Sequence, residues 1–155
     1  MAGFELDEAA NAAVIAAVAG AMDDLGQEAV GIVYGLAPQK TGRYRESIAA
    51  STYAGGKYYA GKHLKNIAQM GHGDVLTVVY TDSPKGHLLE RGTQPHDIPI
   101  GHTESMGTVR GRNTDVTRVI RHPGAHRFPH FGPGAMATVA RAGEVLRLGI
   151  AKRVE

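Results

Sequence analysis

The stretch Ala37–Ile48, APQKTGRYRESI, divides the chain into a helical part and a β-rich part. Pro38 cannot continue a helix, and it biases the residue before it away from helical backbone angles. Thr41-Gly42 adds a turn signal. The sequence therefore predicts a turn between the two parts, and this turn carries Arg43 and Arg45.

Residues 1–36 predict one long helix that starts near Asp7 and ends at Gly35–Leu36. Its glycines either mark a bend, for which Gly26 is the candidate, or let another helix approach closely. Apolar residues recur at steps of four and three and predict one buried stripe, composed of Val14, Val18, Met22, Leu25, Ala29, Ile32 and Leu36.

Residues 37–122 predict a β-rich part with long loops. Ser47–Tyr53 and Val75–Tyr80 have the β-branched and aromatic composition of strands. Tyr58–Met70 has short helical spacing and predicts a one- or two-turn helix. His87–Arg91 predicts a single helical turn, which Gly92 ends.

The rest of the chain predicts a loop and a second long helix. Thr93–Asp115 has few apolar anchors and predicts a long loop, in which Gly107–Arg110 pairs with Val116–Arg121 as a hairpin. Residues 123–155 predict an aromatic–Pro segment and a C-terminal helix, with an apolar stripe composed of Met136, Val139, Ala140, Gly143, Leu146, Ile150 and Val154.

The order of these elements predicts an α+β fold in one domain over residues 1–155. In this fold, a long N-terminal helix and a C-terminal helix pack on a small antiparallel β-sheet.

Composition narrows the classes of partner. The net charge of +2 is too small to make nucleic acid the default partner, and the absence of cysteine excludes disulfides and thiol chemistry. The chain contains no run of about twenty apolar residues, so we expect no membrane partner. No basic segment precedes the apolar patch Ala12–Val18, so we expect no signal peptide. Acids dominate the first 30 residues and bases dominate from Lys40 onward. This polarity suits an acidic face that meets a basic face on a neighbouring subunit, and equally a solvated helix beside a solvated sheet edge.

No residue pattern indicates catalysis, a metal or a cofactor. The chain has no nucleophile elbow, phosphate loop or dinucleotide fingerprint. His122, His126 and His130 are spaced by four, but Pro123 and Pro129 exclude the helix that would align them. We therefore expect a protein that is not an enzyme, with no catalytic, cofactor-binding or metal-binding residues, and we interpret these histidines as polar loop residues.

The predicted hairpin carries Arg110, Arg112, Arg118 and Arg121. A small nucleic-acid-binding module is therefore an alternative function, with contacts to the phosphate backbone. The same arginines would also keep an exposed hairpin soluble or pair with a neighbour's acids. No interleaved aromatic residues or recognition-helix pattern accompanies them.

Three separated stretches, Ala37–Ile48, Leu88–Thr93 and Phe128–Ala135, together resemble one family. It comprises the minor tail-component, or tail-completion, proteins of long-tailed bacteriophages, which lie at the neck between head and tail. In that family a long helix runs into Ala-Pro-x-x-Thr-Gly-x-Leu/Tyr-x-x-Ser-Ile. A strand then leads to a Glu-x-Gly-Thr turn, and an aromatic–Pro segment opens the last helix. Lys40 replaces the aspartate frequent in the family, and Phe131–Ala135 matches the last motif loosely.

The resemblance implies a structural virion protein of the head–tail connector, without catalysis. It implies a homo-oligomeric ring of six subunits around a DNA channel, made in the bacterial host cytoplasm and located at the head–tail junction. Other neck and tail proteins would be its partners, and DNA passing through the channel could contact it non-specifically. Tail completion, tail terminator and head closure stay open as its position in the neck.

The resemblance also implies roles for individual residues. The residues expected at the interface with another subunit or a neighbouring ring are Arg43, Arg45, Glu90, Arg91, Arg110 and Arg112. The residues expected to form structural turns are Pro38, Gly42, Gly92, Thr93, Pro129 and Pro133. In the Glu90–Thr93 turn, we expect Gly92 to take a left-handed backbone and Thr93 to bond back to the turn. Tyr58–Gly73 and Thr93–Asp115 would contact the next ring or the tail tube.

Overall fold

The computed structural model describes residues 7–39, 42–62, 71, 73–98 and 120–154. The elements in chain order are α1 (Glu8–Leu36), α2 (Arg43–Glu46), β1 (Ile48–Ala54), β2 (Lys57–Ala60), β3 (Val75–Thr81), α3 (Gly86–Arg91), β4 (His96–Ile98), β5 (Ile120–His122) and α4 (Phe131–Val154). The two long helices and the three-stranded antiparallel sheet confirm the predicted α+β fold.

The predicted bounds of the first helix are confirmed. The Asp7 carboxylate accepts a hydrogen bond of 2.7 Å from the Ala10 N–H and caps the start of α1. At the other end, the Ala37 N–H donates to the Val33 carbonyl oxygen, and Pro38 follows. Capping and proline therefore set the two ends of α1.

The predicted apolar stripe of α1 is wrong at both ends. Val14 is 46% exposed and Leu36 is 43% exposed. Because α1 packs on the sheet with one side and on α4 with another, its buried surface is wider than one stripe and consists mainly of small residues. The buried residues are Ala17, Ala19, Gly20, Ala21, Gly26, Ala29 and Val33.

Small residues let other elements approach α1 closely. A Cβ added to Gly149 of α4 would lie 2.9 Å from the Ala21 Cβ, and a Cβ added to Gly26 would lie 2.5 Å from Thr77 Cγ2 of β3. Close approach is therefore the role of Gly26, and α1 continues through it as one helix.

The predicted stripe of α4 is also wrong in part. Met136 is 77% exposed and Val139 is 73% exposed. Leu146 and Ile150 of the predicted stripe are half-buried, but the buried residues of α4 are Gly134, Thr138 and Gly149, none of which is strongly apolar. The remaining inner positions are half-buried and comprise Phe131, Ala142, Val145, Leu146 and Ile150.

The sheet has the strand order β2-β1-β3, with both pairs antiparallel. Thr52 of the central strand lies opposite Thr77, and its hydroxyl bonds to the Thr77 hydroxyl at 2.8 Å and to Asp23 of α1 at 3.1 Å. These contacts fix one face of the sheet against α1.

The hairpin between β1 and β2 corrects the helix predicted over Tyr58–Met70. Gly55 and Gly56 have φ values of 57° and 76°, as a tight two-residue hairpin turn requires. The chain therefore folds back as β2, and residues 58–60 form strand instead of helix. Residues 63–70 of the predicted helix lie outside the described residues.

A two-stranded sheet corrects the loop predicted from Thr93. Asp97 of β4 lies opposite Arg121 of β5. A three-residue strand after Pro95 is too short and polar to have a strand pattern, so the sequence did not indicate it. The predicted partner segment Gly107–Arg110 lies outside the described residues.

Helix α1 is long and apolar enough to cross a membrane by length and composition, with a mean hydropathy of 1.2 over 18 residues. The same helix packs on the sheet and on α4, and Asp23 and Asp24 accept hydrogen bonds from those elements. The core helix of a soluble protein can have the same length and composition as a membrane-spanning helix.

Candidate functional site

The three stretches that carry the family resemblance meet around His130. The His130 side chain is fully buried. Its Nδ1 lies 2.7 Å from the Phe128 carbonyl oxygen, which can only accept, so Nδ1 donates this hydrogen bond. The Tyr44 hydroxyl lies 2.5 Å from Nε2 and donates to it in the neutral ring. Glu90 Oε2 is 3.1 Å from Nδ1. We call Tyr44, Glu90 and His130 the junction cluster.

Glu90 also caps the start of α4. Its carboxylate accepts hydrogen bonds from the backbone N–H groups of His130 at 2.9 Å, Phe131 at 3.2 Å and Gly132 at 3.1 Å. The next residue is Pro133, which has no N–H to satisfy and is compatible with the first turn of a helix. A carboxylate from α3 thus caps the start of α4.

The charge of Glu90 suits this position. Partial burial works against ionisation, but the three backbone donors and His130 together outweigh it and lower the pKa of Glu90. A carboxylate at a helix N-terminus is also stabilised by the helix dipole. Glu90 is therefore ionised at neutral pH and holds α4 in place.

Tyr44 closes the other side of the junction cluster. Its ring meets the His130 ring edge-on, with centroids 5.3 Å apart. Burial, and then the charge of Glu90, raise the pKa of the Tyr44 hydroxyl. This direction opposes formation of a tyrosinate nucleophile, and both nitrogens of the enclosed imidazole already have partners. The arrangement is suited to holding elements together.

The apolar core lies directly beneath the junction cluster. Val33, Ala37 and Ile48 form a buried group, against which Tyr44 and Phe131 pack. The backbone adds a further link, because the Phe128 N–H donates to the Leu89 carbonyl oxygen at 2.6 Å. Helix α1, the arginine-bearing turn, α3 and α4 are therefore joined at one place.

The two arginines of the turn differ in their contacts. Arg45 Nε donates to the Ala37 carbonyl oxygen at 2.7 Å, and its guanidinium lies 5.4 Å from the Tyr34 ring centroid. Arg43 is exposed and lines an open cleft of about 480 Å³ together with Tyr44 and Lys85. Arg45 thus stabilises the turn from within the chain, and Arg43 faces outward. An interface role stays a prediction for both.

The Glu90–Thr93 turn is confirmed at Gly92 and wrong at Thr93. Gly92 has a φ of 72°, and its N–H donates to the Leu88 carbonyl oxygen at 2.8 Å. The Thr93 hydroxyl was expected to bond back to the turn, but within the described ranges its Oγ1 is buried and has no partner. The Thr93 backbone bonds instead to Ala125, at 2.9 and 3.0 Å.

The other predicted turn and interface residues lie as follows. Gly42 has a φ of 73° and directly precedes α2. Pro129 is exposed just before His130, and Arg91 is exposed at the end of α3. Arg110 and Arg112 lie outside the described residues. The interface roles of Arg91 and Glu90 stay predictions.

Two acidic side chains of α1, Asp24 and Glu28, have partners on α4. Asp24 bonds to both terminal nitrogens of Arg153, at 2.8 and 3.1 Å, and Glu28 lies 2.5 Å from Arg141. The hydrogen bond from Arg153 is the main cause that lowers the pKa of Asp24. Some of the acids of the N-terminal part therefore pair with bases of the C-terminal part inside one chain. This pairing makes the charge asymmetry of the sequence weaker support for contacts between subunits.

Histidines do not form a metal site in the described part of the chain, where no group of three or more His, Asp or Glu side chains could hold an ion. His96 and His122 lie opposite each other on β4 and β5, with ring centroids 5.0 Å apart. His130 is the exception to the expectation of polar loop histidines, because it is fully buried. In the sequence, His130 lies between Pro129 and Phe131, and these apolar neighbours were the pattern that could have indicated its burial.

Comparison of the chain with protein-family models, curated proteins and solved structures found no match. The functional conclusion therefore depends on the residues and contacts of this chain.

Proposed function

We propose that this protein is a structural subunit of the neck of a long-tailed bacteriophage, which joins the DNA-filled head to the tail as part of a ring. One observation supports the proposal most. The three stretches that resemble the neck family are far apart in sequence, yet Tyr44, Glu90 and His130 from these stretches are in direct contact. The three stretches therefore contact one another and form one structural unit.

The chemistry of the junction cluster suits a structural role. A catalytic histidine must reach substrate, whereas His130 is enclosed and hydrogen-bonded at both ring nitrogens. The Glu90 carboxylate accepts three hydrogen bonds from backbone N–H groups at the start of α4. The cluster stabilises the joint between helices and sheet, and we propose that the protein is not an enzyme.

A rigid joint fits a subunit that must transmit load between head and tail. The junction cluster links both long helices. Arg43 and Arg91 lie near it, are exposed and do not belong to the cluster. We propose that these outward cations contact carboxylates of a neighbouring subunit or ring, with tail completion or tail termination as the role.

The experiment is inactivation of the gene in the phage that encodes the chain, followed by electron microscopy of the lysate. We expect DNA-filled heads and separate tails, and joined particles when the wild-type gene is supplied in trans. Supply of the Arg43→Ala variant should restore joining less well than supply of wild type, while supply of an exposed control variant, Glu144→Ala, should restore it fully. Joined, infectious particles without the gene would contradict the proposal.

A further inference from the structure

We propose that copies of this chain associate head to tail by pairing β3 of one copy with β2 of the next, so that the sheet continues from subunit to subunit. This inference rests on the ring that the proposed function requires, and it names the surfaces that form it. Three features of the described residues support it: a free strand edge, an apolar groove beside that edge, and charges that match between the two strands.

The first feature is the edge of the sheet. Among the described residues, β3 pairs with β1 on one side and has no strand on its other side. All seven residues of β3 are half-buried, whereas most of β1 is buried. An edge strand of this length presents a row of backbone donors and acceptors, to which another strand can add.

The second feature is an open apolar groove of about 380 Å³ on the helical side of β3. Its lining includes Met22 and Leu25 of α1, Val79 of β3, and Ala135 and Val139 of α4. A strand added to β3 would place alternate side chains toward this groove.

Strand β2 is suited to fill the groove, since it is the opposite edge of the same sheet and most of it is exposed. Tyr58 packs edge-on against Tyr53, which lies opposite it on β1. Tyr59 is the extra residue where the register of β1 and β2 shifts, and its electrostatic interaction with Arg153 of α4 places it on the side of the helices. Tyr59 is 46% exposed, and in the next copy it would face the groove.

The third feature is charge. Asp74 and Asp82 flank β3, and Lys57 begins β2. Asp82 already pairs with Lys62 of its own chain at 2.8 Å, whereas the described residues offer Lys57 no ion pair. If all copies keep one strand direction, β2 of the next copy runs parallel to β3. When Tyr58 lies beside Leu76, Lys57 of the next copy lies beside Val75, next to Asp74 in the chain.

The same charges disfavour the two-fold alternative. In an antiparallel β3–β3 pair, Asp74 of one copy would lie beside Asp82 of the other, and like charges that face each other are destabilising. Pairing of unlike edges leaves one free edge at each end, so it continues until a ring closes.

Disulfide trapping tests the pairing directly, because the chain contains no cysteine. The double variant Leu76→Cys/Tyr58→Cys places one thiol on each edge. Within one copy, β1 separates these positions by two strand spacings, about 9–10 Å, which is too far for a disulfide. The double variant Val78→Cys/Tyr58→Cys detects the same pairing with the register shifted by two residues. Far-UV circular dichroism measures whether the variants fold.

We expect each single variant to stay uncrosslinked after oxidation, and one double variant to give a ladder of multimers on non-reducing gels. Lys57→Glu should remove the ladder, and Lys57→Glu with Asp74→Lys should restore it. A dimer from Val78→Cys alone would show two-fold pairing, because Val78 lies opposite itself when Asp74 lies beside Asp82, and would overturn the inference. Absence of a ladder from both double variants would overturn it as well.

The oxidation is carried out on concentrated purified protein and on phage particles that carry the variant. Particles that contain the protein but give no ladder would overturn this inference and leave the neck function intact. A ladder in purified protein together with absence of the protein from particles would support the pairing and contradict the neck function.

Discussion

Replacement of Glu90 by alanine tests whether the junction cluster holds the fold together. The substitution removes the acceptor of three backbone N–H groups at the start of α4. A lost helix cap costs about 0.5–2 kcal/mol, and a hydrogen bond to a charged group contributes about 1.5–3 kcal/mol. Because the Glu90 side chain is 26% exposed, water replaces part of this loss. We expect a decrease of about 2–3 kcal/mol in the free energy of unfolding.

Urea unfolding followed by far-UV circular dichroism measures this change. In a domain of this size, the melting temperature should fall by about 5–10 °C. Glu144→Ala is the matched control, because Glu144 is an exposed carboxylate on the same helix. If Glu90→Ala and Glu144→Ala differ by less than about 0.5 kcal/mol, the capping role of Glu90 is refuted.

The pH dependence gives a second readout of the same contact. The pKa of Glu90 is lowered in the folded state from its ordinary value of 4.5. Its stabilisation is therefore fully present above the unfolded-state pKa and is lost as the pH falls through the folded-state pKa. Wild type should exceed Glu90→Gln in stability at pH 7, and the difference should shrink below pH 4.5. A difference that is constant over this range would contradict the ionised cap.

Four further predictions concern single contacts and use the same unfolding assay. Tyr44→Phe leaves the buried Nε2 of His130 without a donor and should destabilise the protein by about 1–3 kcal/mol; an unchanged midpoint would show that the hydrogen bond contributes nothing. Gly149→Ala should destabilise by about 1–3 kcal/mol because its Cβ would press on Ala21, whereas Gly143→Ala, which faces open space, should stabilise by roughly 0.5–1 kcal/mol; equal effects would refute the close helix contact. Thr93→Val removes a buried hydroxyl that has no partner in the described part of the chain and should raise stability by about 1 kcal/mol, while a loss would reveal a partner. Asp24→Asn should lower the melting temperature slightly at low salt and not at 1 M salt, and an effect independent of salt would contradict an exposed ion pair.

The sequence was sufficient where a local rule decides the structure. Asp7 and Pro38 indicated the ends of α1, and the β-branched and aromatic residues of Val75–Tyr80 indicated β3. Gly92 was identified as the end of α3 because a positive φ there favours glycine. Capping, proline geometry and β-strand propensity act within a few residues, so a single sequence contains them.

The sequence was insufficient where burial depends on distant partners. Met136 and Val139 had the apolar composition of a core face, yet α4 turns Gly134 and Thr138 toward α1 because small residues permit closer packing. Pairing between Glu90 and the start of α4 spans about 40 residues, and no local pattern indicates it. The motif resemblance singled out Glu90 but not its partner, since no residue type by itself marks a cap supplied from another helix.

The central claim of the account is that this chain lies at the joint between head and tail of a phage particle. Immunogold labelling of purified particles of the phage that encodes it, with an antibody against the folded protein, measures that position most directly. The account predicts label confined to the neck of each particle. Particles without label, or label along the tail or over the capsid, would contradict it.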